Sequence, residues 1–250
     1  MTARLVRTLS SFALVLATTA CSSYYEIPIE TPIRPKLDVS AFQRVLVAGF
    51  ISGGTEDVDA NLETTRLLRS QLRTKSDLRV IDADVLPLME VANESNTGTG
   101  AAATQPAIKE EKDLEPYERV FANVEYWKKI GEEYQQPLIV TGTVMFTPQQ
   151  SNSIVQREEE VYDSFGRRRV VPVRQYMERK GYELRPKFVF IDGRTGTVMH
   201  SENFRERVLY NANQTTPALS SYFELMDRLI PSFLSTLSSQ KIKGTRVLLQ

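Results

Sequence analysis

The chain has 250 residues, of which 41% are hydrophobic, so it is long enough for one large domain or two small ones. Its 31 basic and 31 acidic side chains balance, which excludes the electrostatic footprint of a DNA- or RNA-binding protein for the chain as a whole. One cysteine and one histidine exclude an intrachain disulfide, a cysteine-based zinc or iron–sulfur site and the histidine pair of a metalloprotease. We therefore expect no metal and no cofactor.

Residues 1–20 have the pattern of a signal peptide. Arg4 and Arg7 form a basic region, and the uncharged stretch Leu9–Ala20 follows. Such a stretch, about 12 residues long, has the length of a signal-peptide core, whereas a membrane-spanning helix needs about 20 residues. We predict that residues 1–20 are removed from the mature protein.

Cys21 is the candidate lipidation site. The preceding residues, Leu16–Ala20, are mostly small and resemble the lipobox of bacterial lipoproteins, with Thr18 where leucine is usual. This resemblance implies a diacylglycerol on the Cys21 thiol, cleavage before Cys21 and acyl chains that hold the protein to a membrane. The alternative is an ordinary cleaved signal with an unmodified cysteine. Ser22, in place of the aspartate that retains lipoproteins at the inner membrane, implies the outer membrane.

Residues 21–40 are expected to form an extended tether. This segment contains Pro28, Pro32 and Pro35 with few apolar residues, a composition that favours polyproline conformation. The alternative is an edge strand, because isoleucines occur at alternating positions from residue 27 onwards.

The folded part begins with a βαβ-type pattern. Arg44–Phe50 is a nearly continuous apolar run, typical of a strand buried on both faces. A loop with Gly53 and Gly54 precedes an amphipathic helix over Asn61–Lys75, and Leu78–Asp82 is the next strand.

The middle of the chain combines helices with an insertion. Val85–Asn93 is predicted to be a short helix, and Glu94–Glu111 a low-complexity, flexible surface insertion. Apolar residues at three- and four-residue spacing predict one helix over Glu115–Gln135. Leu138–Phe146 is the strongest strand signal in the chain.

Two hairpins are predicted next. Ile154–Tyr162 and Arg167–Arg179 flank a four-residue turn, which places Glu160 opposite Arg169 and Glu158 opposite Val171. The strands of the second hairpin are 181–192 and 197–210.

The last elements are a helix and a strand. A stripe of apolar residues predicts a helix over Ser220–Lys241, kinked at Pro231, and Thr245–Leu249 is a final strand. The predicted fold is a single α/β domain over 41–250, a mixed sheet with packed helices that is antiparallel in its second half.

Tests for catalytic chemistry are negative. Gly49–Thr55 lies where nucleotide loops occur, but it lacks the lysine of a phosphate loop and the glycine spacing of a dinucleotide site. His200 lies near Glu202 and Glu206 on one strand face, a possible base, but no nucleophile with a recognisable turn accompanies it. We expect an ordinary βα turn and a partly exposed sheet histidine.

Three aspartates are candidate metal ligands. Asp82 and Asp84 lie at the end of a predicted strand and are separated by one residue, and Asp192 begins a turn. Aspartate is also a common turn residue, and we expect no metal site here.

The hairpin over 154–179 carries the most conspicuous charge runs, Glu158–Glu160 and Arg167–Arg169. They are typical either of a docking surface for a partner or of a solvated ladder that protects a sheet edge. A membrane-spanning hairpin is disfavoured, because charged residues interrupt both faces.

The order of elements resembles a superfamily of bacterial envelope proteins that includes the curli-secretion lipoprotein CsgG, the penicillin-binding-protein activator LpoB and the amino-terminal domain of TolB. The matching pieces are Val45–Phe50, Leu78–Asp82, Leu138–Val144 and Phe188–Val198. The resemblance implies an adaptor fold without catalytic residues, so it supplies no site residues for this chain.

From the sequence we therefore expect a non-enzymatic, lipid-anchored outer-membrane protein. Its domain faces the periplasm, where it serves as an adaptor or assembly factor for an envelope protein and binds no nucleic acid. The alternative is an oligomeric component of a secretion or export apparatus.

Overall fold

The structure is a computed structural model that describes residues 24–96, 108–162, 164–211, 213–214 and 216–249. It divides into two compact units. The larger unit runs from Pro35 to Ser238, and the smaller one contains the described residues before and after it.

The secondary structure alternates between strands and helices. In chain order the elements are β1 (Tyr24–Ile33), β2 (Arg44–Gly54), α1 (Ala60–Lys75), β3 (Arg79–Val80), α2 (Leu88–Asn96), a 3₁₀ helix (Glu111–Ala122), α3 (Val124–Glu133), β4 (Leu138–Tyr162), β5 (Arg168–Asp192), β6 (Val198–Asn203), β7 (Glu206–Asn211), α4 (Ala218–Leu237) and β8 (Gln240–Leu249).

The larger unit contains the mixed sheet. Its strand order is β3-β2-β4-β5-β6, and β7 pairs with a further stretch of β5. β2 is parallel to β3 and β4, whereas β5 is antiparallel to β4, β6 and β7. The predicted fold class, α/β with a sheet that is antiparallel in its second half, is confirmed.

Helices cover both faces of this sheet. On one face, α1 and α4 contribute Leu68 and Phe233 to a buried cluster, and on the other face α3 contributes Trp127 to a second cluster. Because successive strand residues point to opposite faces, β2 supplies Val47 to the first cluster and Leu46 to the second. This confirms the predicted strand that is buried on both faces.

The single helix predicted over 115–135 is wrong, because two helices meet at Asn123. The 3₁₀ helix ends at Ala122, and the Asn123 side chain accepts a hydrogen bond from the Tyr126 backbone N–H at 3.1 Å. Asparagine is a preferred residue at a helix start, since its side chain satisfies an N–H that lacks a partner in the helix. The apolar spacing continues across the break and conceals it.

The insertion predicted over 94–111 lies largely outside the described residues. α2 begins later than predicted and extends to Asn96, and the chain is next described from Ile108. Ile108 is buried, and its carbonyl accepts a hydrogen bond from the Gly54 N–H at 2.8 Å. The carboxyl end of the segment is therefore packed against β2.

The strand predicted over 197–210 is divided into β6 and β7. β5 pairs with β7 up to Leu184 and with β6 from Lys187 onwards. Pro186 lies between these stretches and has no N–H, but its carbonyl accepts a hydrogen bond from the Phe204 N–H at 2.9 Å. The ladder is interrupted where proline removes a donor.

The smaller unit is an antiparallel ribbon of β1 and β8. Within the segment 21–40, expected to be an extended tether, Tyr24–Ile33 form the strand β1, which was the alternative. Pro28 and Pro32 lie opposite Thr245 and Lys241, and proline is tolerated in strands that have an open edge. β8 also begins earlier than predicted, at Gln240.

None of the helices in the described part of the chain has the length and apolar character needed to cross a membrane.

Candidate interaction surface

β4 and β5 continue beyond the sheet as a two-stranded ribbon. β2 pairs with β4 only as far as Phe146, and β7 pairs with β5 only from Arg179 onwards. In Asn152–Tyr162 and Arg168–Glu178 the two strands pair with each other, and no third strand among the described residues joins them. We call these two stretches the β-arm. Its two outer edges present backbone groups that can pair with a further strand.

The β-arm exposes several large apolar side chains. Ile154 and Tyr176 are register partners on one face and are 71% and 63% exposed. Tyr162, at the end of β4, and Phe165, in the turn, are 66% and 81% exposed. Single exposed apolar residues are ordinary on a protein surface, whereas this concentration on one ribbon is characteristic of an interaction site.

The predicted register of this hairpin is wrong by one residue. Glu160 lies opposite Val170 rather than Arg169, because Arg167 belongs to the turn and the ladder begins at Arg168. A shift of one residue moves every side chain to the other face of a strand. The acidic and basic runs meet diagonally instead, and Glu160 forms an ion pair with Arg168 at 2.5 Å.

The two strands of the β-arm carry opposite charge. The β4 stretch has a formal charge of −2 and the β5 stretch of +2. The charged residues are Arg157, Glu158, Glu159 and Glu160 on β4, and Arg168, Arg169, Arg174 and Glu178 on β5. Glu158, predicted opposite Val171, lies opposite Pro172.

A buried carboxylate lies on β5 near the base of the β-arm. Glu183 is 1% exposed, and its Oε1 accepts hydrogen bonds from Arg185, at 2.5 Å, and from Arg205. Burial raises the pKa of the Glu183 carboxyl, but the two guanidinium groups outweigh that effect and hold the pKa below its usual value. The sequence did not predict this cluster, although charged residues alternate along this part of β5.

Beside Glu183 lies a cleft of about 310 Å³. Arg185 also pairs with Glu111 at 2.8 Å, and Lys187 pairs with Glu118 at 2.7 Å. The charged groups of the cleft form ion pairs with one another, and these pairs connect β5 to the 3₁₀ helix. This arrangement stabilises the fold and leaves little capacity to bind a charged ligand.

His200 lies on β6, where its Nε2 is 3.5 Å from the Glu202 carboxylate. That carboxylate also accepts hydrogen bonds from Lys36 and, at 3.1 Å, from Thr236. Among the described residues no contact joins Glu206 to His200. The structure therefore brings Glu202, but not Glu206, close to His200. The Glu202 carboxylate also links Lys36, near the start of the larger unit, to Thr236 on α4.

The three candidate metal-binding aspartates have different surroundings. Asp82 pairs with Arg73, Asp84 is exposed, and Arg194 binds both carboxylate oxygens of Asp192, with Nη2 at 2.8 Å. Burial raises the pKa of the Asp192 carboxyl. The Arg194 guanidinium and the backbone N–H groups of the turn outweigh this effect and hold the pKa below its usual value. No cluster of metal-ligating side chains occurs within the described ranges.

The glycine-containing segment Gly49–Thr55 is mostly strand rather than loop, since β2 extends to Gly54. Gly54 has a φ of +105°, and a Cβ there would lie 1.9 Å from the Phe146 carbonyl oxygen. The close approach of β4 therefore explains this glycine. α1 begins after Asp59, whose carboxylate accepts a hydrogen bond from the Leu62 N–H at 3.0 Å.

Cys21 and the predicted signal peptide lie outside the described residues. β1, the first described element, starts at Tyr24.

No family model matches the chain, and no curated protein matches it. Solved structures with low similarity include lipoprotein GNA1162 from Neisseria meningitidis, at 12% identity and a TM-score of 0.36, covering 76% of this chain and 96% of that one. A PelC variant dodecamer from Paraburkholderia phytofirmans has 12% identity and a TM-score of 0.36, covering 87% and 100%. A putative neuraminyllactose-binding hemagglutinin homologue from Helicobacter pylori has 10% identity and a TM-score of 0.37, covering 85% and 89%.

Likenesses this low assign neither a family nor a function to the chain. None of these three structures is CsgG, LpoB or TolB, so that resemblance stays an expectation from the sequence.

Proposed function

We propose that this chain is a lipid-anchored protein of the bacterial envelope that has no catalytic role and binds a protein partner. The observation that carries the proposal is the sequence around Cys21: a basic start, the uncharged Leu9–Ala20 and small residues directly before the only cysteine. Two or three acyl chains at Cys21 would hold the protein stably to a bilayer. Placement in the outer membrane, with the domain in the periplasm, rests on Ser22.

The β-arm is the proposed partner-binding surface. It combines open strand edges with exposed apolar side chains, and both features favour contact with another protein. Its charges favour a protein partner over a lipid surface, because Arg157 and Glu159 share one face while Glu158 and Arg174 lie on the other.

The anchor is tested by lipid labelling of the full precursor in cells fed radioactive palmitate. We expect label on the wild-type protein and none on Cys21→Ala, which should also leave the membrane fraction. Ser22→Ala is the matched control and should retain the label. Label on Cys21→Ala, or an unlabelled wild type, contradicts the proposal.

The partner surface is tested by photo-crosslinking in intact envelopes. A photoreactive residue at Tyr176, on the β-arm, should yield crosslinked protein, and one at the exposed Glu132, on α3, should not. Mass spectrometry of the product identifies the partner. Equal yields at both positions contradict the assignment of the β-arm.

A second candidate is an oligomeric component of a secretion or export apparatus. The observation that favours it is the pair of open edges on the β-arm, since one copy can contact two neighbours. A monomeric mass for the detergent-solubilised protein would rule it out.

A further inference from the structure

The ribbon of β1 and β8 has one apolar face. Side chains alternate between the two faces of a strand, and cross-strand partners share a face. One face therefore carries Ile27, Ile29, Thr31 and Ile33, together with Arg246, the register partner of Ile27. The three isoleucines are 44%, 39% and 46% exposed. A row of exposed apolar side chains is characteristic of a surface that contacts a protein or a membrane.

The opposite face of the ribbon is polar. It carries Glu26 and Glu30 on β1 and Lys243 and Thr245 on β8. Lys243 lies opposite Glu30 and forms an ion pair with it at 4.0 Å. Because acidic and basic groups are mixed on this face, it has no strong attraction for a surface of either charge. The ribbon thus has the division into an apolar and a hydrated face that interfacial membrane segments show.

The ribbon starts close to Cys21. Only Ser22 and Ser23 separate Cys21 from Tyr24, the first residue of β1. Consecutive Cα atoms are about 3.8 Å apart, so the Cα atoms of Cys21 and Tyr24 lie within about 11 Å of each other. The headgroup region on one side of a bilayer is about 5–8 Å thick. Acyl chains on Cys21 would therefore hold the start of β1 at the membrane surface.

We propose that the ribbon of β1 and β8 lies flat on the membrane, with its isoleucine face between the headgroups and the acyl chains. This inference rests on the proposed lipid anchor at Cys21 and adds a second contact, made by protein side chains, with the same bilayer. An amphipathic segment in this position buries its apolar face about 5–10 Å deep. Arg246 lies on that face, and its long side chain can extend to the lipid phosphates while its stem stays among apolar groups.

The edges of the ribbon favour this position over the other ways to cover the apolar face. Pro28 and Pro32 lack the N–H groups with which a further strand could pair along β1. Open strand edges and the ion pair of Glu30 with Lys243 do not enter the hydrocarbon core, where no water binds the backbone groups. At the interface the edges and the polar face remain hydrated, so the ribbon rests at the membrane surface and does not cross it.

The test places one fluorescent label on each face of the ribbon. An acylated Cys21 has no free thiol, so Thr31→Cys and Glu26→Cys each introduce a single labelling site into the full-length lipidated protein. Thr31 lies on the isoleucine face, whereas Glu26 lies on the polar face and nearer to Cys21 along the chain. The label is a nitrobenzoxadiazole group, whose emission shifts to the blue when it leaves water. The labelled proteins are inserted into vesicles of phosphatidylethanolamine and phosphatidylglycerol.

Nitroxide groups on the lipid acyl chains report contact with the membrane. We expect them to quench the label at Thr31, whose emission is also shifted to the blue, and to leave the label at Glu26 in water. Proximity to the anchor alone predicts the opposite order, because Glu26 is closer to Cys21. Ile27→Asp with Ile29→Asp should abolish the quenching at Thr31→Cys. The matched control, Ile27→Leu with Ile29→Leu, keeps the face apolar and should preserve the quenching.

Three outcomes would overturn the inference. They are equal quenching of the two labels, quenching that persists in the aspartate variant, and a blue-shifted label at Thr31 that nitroxide lipids do not quench, since protein then covers the face. Failure of the anchor gives a different result, because the protein would carry no fatty acid and would not stay with the vesicles. If the protein stays with the vesicles while both labels remain in water, the anchor is retained and the ribbon contact is wrong.

Discussion

The hydroxyl groups of Tyr222 on α4 and Thr64 on α1 form a hydrogen bond inside the larger unit, with their oxygen atoms 2.5 Å apart. Both residues are fully buried, and Thr64 also donates to the Ala60 carbonyl at 2.5 Å. Burial raises the pKa of the Tyr222 phenol above its usual value. The contact ties together the two helices on one face of the sheet.

Replacing Tyr222 with Phe removes this hydroxyl and little volume. We expect the free energy of unfolding to fall by about 1 kcal/mol, the usual net value of a buried hydrogen bond. Urea denaturation followed by circular dichroism measures the change. Tyr176→Phe, on the exposed β-arm, should change stability by less than about 0.5 kcal/mol. Equal effects at the two positions would show that the hydroxyl contact contributes nothing.

Glu183→Gln should destabilise the protein at pH 7 by about 1.5–3 kcal/mol, because it removes the charge that Arg185 and Arg205 bind. The pKa of Glu183 is lowered in the folded state, so its contribution is complete above the unfolded-state value of about 4.3 and is lost as the pH falls below it. Urea denaturation from pH 7 to pH 3 should show wild type and variant converging in acid. Glu158→Gln is the exposed control, and a constant difference across this range would contradict the role of the charge.

Glu202→Ala should increase cleavage by trypsin after Lys36. In the wild type Lys36 pairs with Glu202, and the neighbouring Leu37 N–H donates to the Thr236 carbonyl at 3.0 Å. Loss of the carboxylate releases this segment to local opening. Mass spectrometry of short digests measures the cleavage rate. His200→Ala leaves the Lys36 contact in place, so an equal increase in that variant would contradict the assignment.

Gly131→Ala should destabilise the protein by about 1–3 kcal/mol. In an unconstrained helix the same change stabilises by up to about 1 kcal/mol, so the sign is diagnostic. A Cβ on Gly131 would lie 1.7 Å from the Gly193 carbonyl oxygen, which forces α3 away from the β5–β6 turn. Thermal unfolding measures the effect. Lys128→Ala, exposed on the same helix, is the control, and a stabilised Gly131→Ala would contradict this packing.

The elements that the sequence predicted correctly are those whose pattern is local. β2 is an apolar run buried on both faces, and the stripe of α4 is continuous from Leu225 to Phe233. The boundary at Asn123 was missed because one side-chain hydrogen bond begins a new helix without changing the apolar spacing.

The candidate site was only partly predictable, because it depends on where other strands end. The sequence indicates a charged hairpin over 154–179, but it does not reveal that β2 pairs with β4 only as far as Phe146 or that β7 pairs with β5 only from Arg179 onwards. The cluster at Glu183 was missed for a similar reason. Arg205, which binds it, lies at the break between β6 and β7, two strands that both pair with β5.

The ladder between β4 and β5 runs from Leu138 opposite Asp192 to Tyr162 opposite Arg168 without a change of register. A slip of one residue in the exposed β-arm would therefore carry into the buried stretch and move Val140 from the cluster on one face of the sheet to the cluster on the other. Among the described residues no third strand joins the exposed stretch, so the buried end of the ladder fixes its alignment from a distance. The faces on which the surface side chains of this ribbon lie are decided by buried residues at its opposite end.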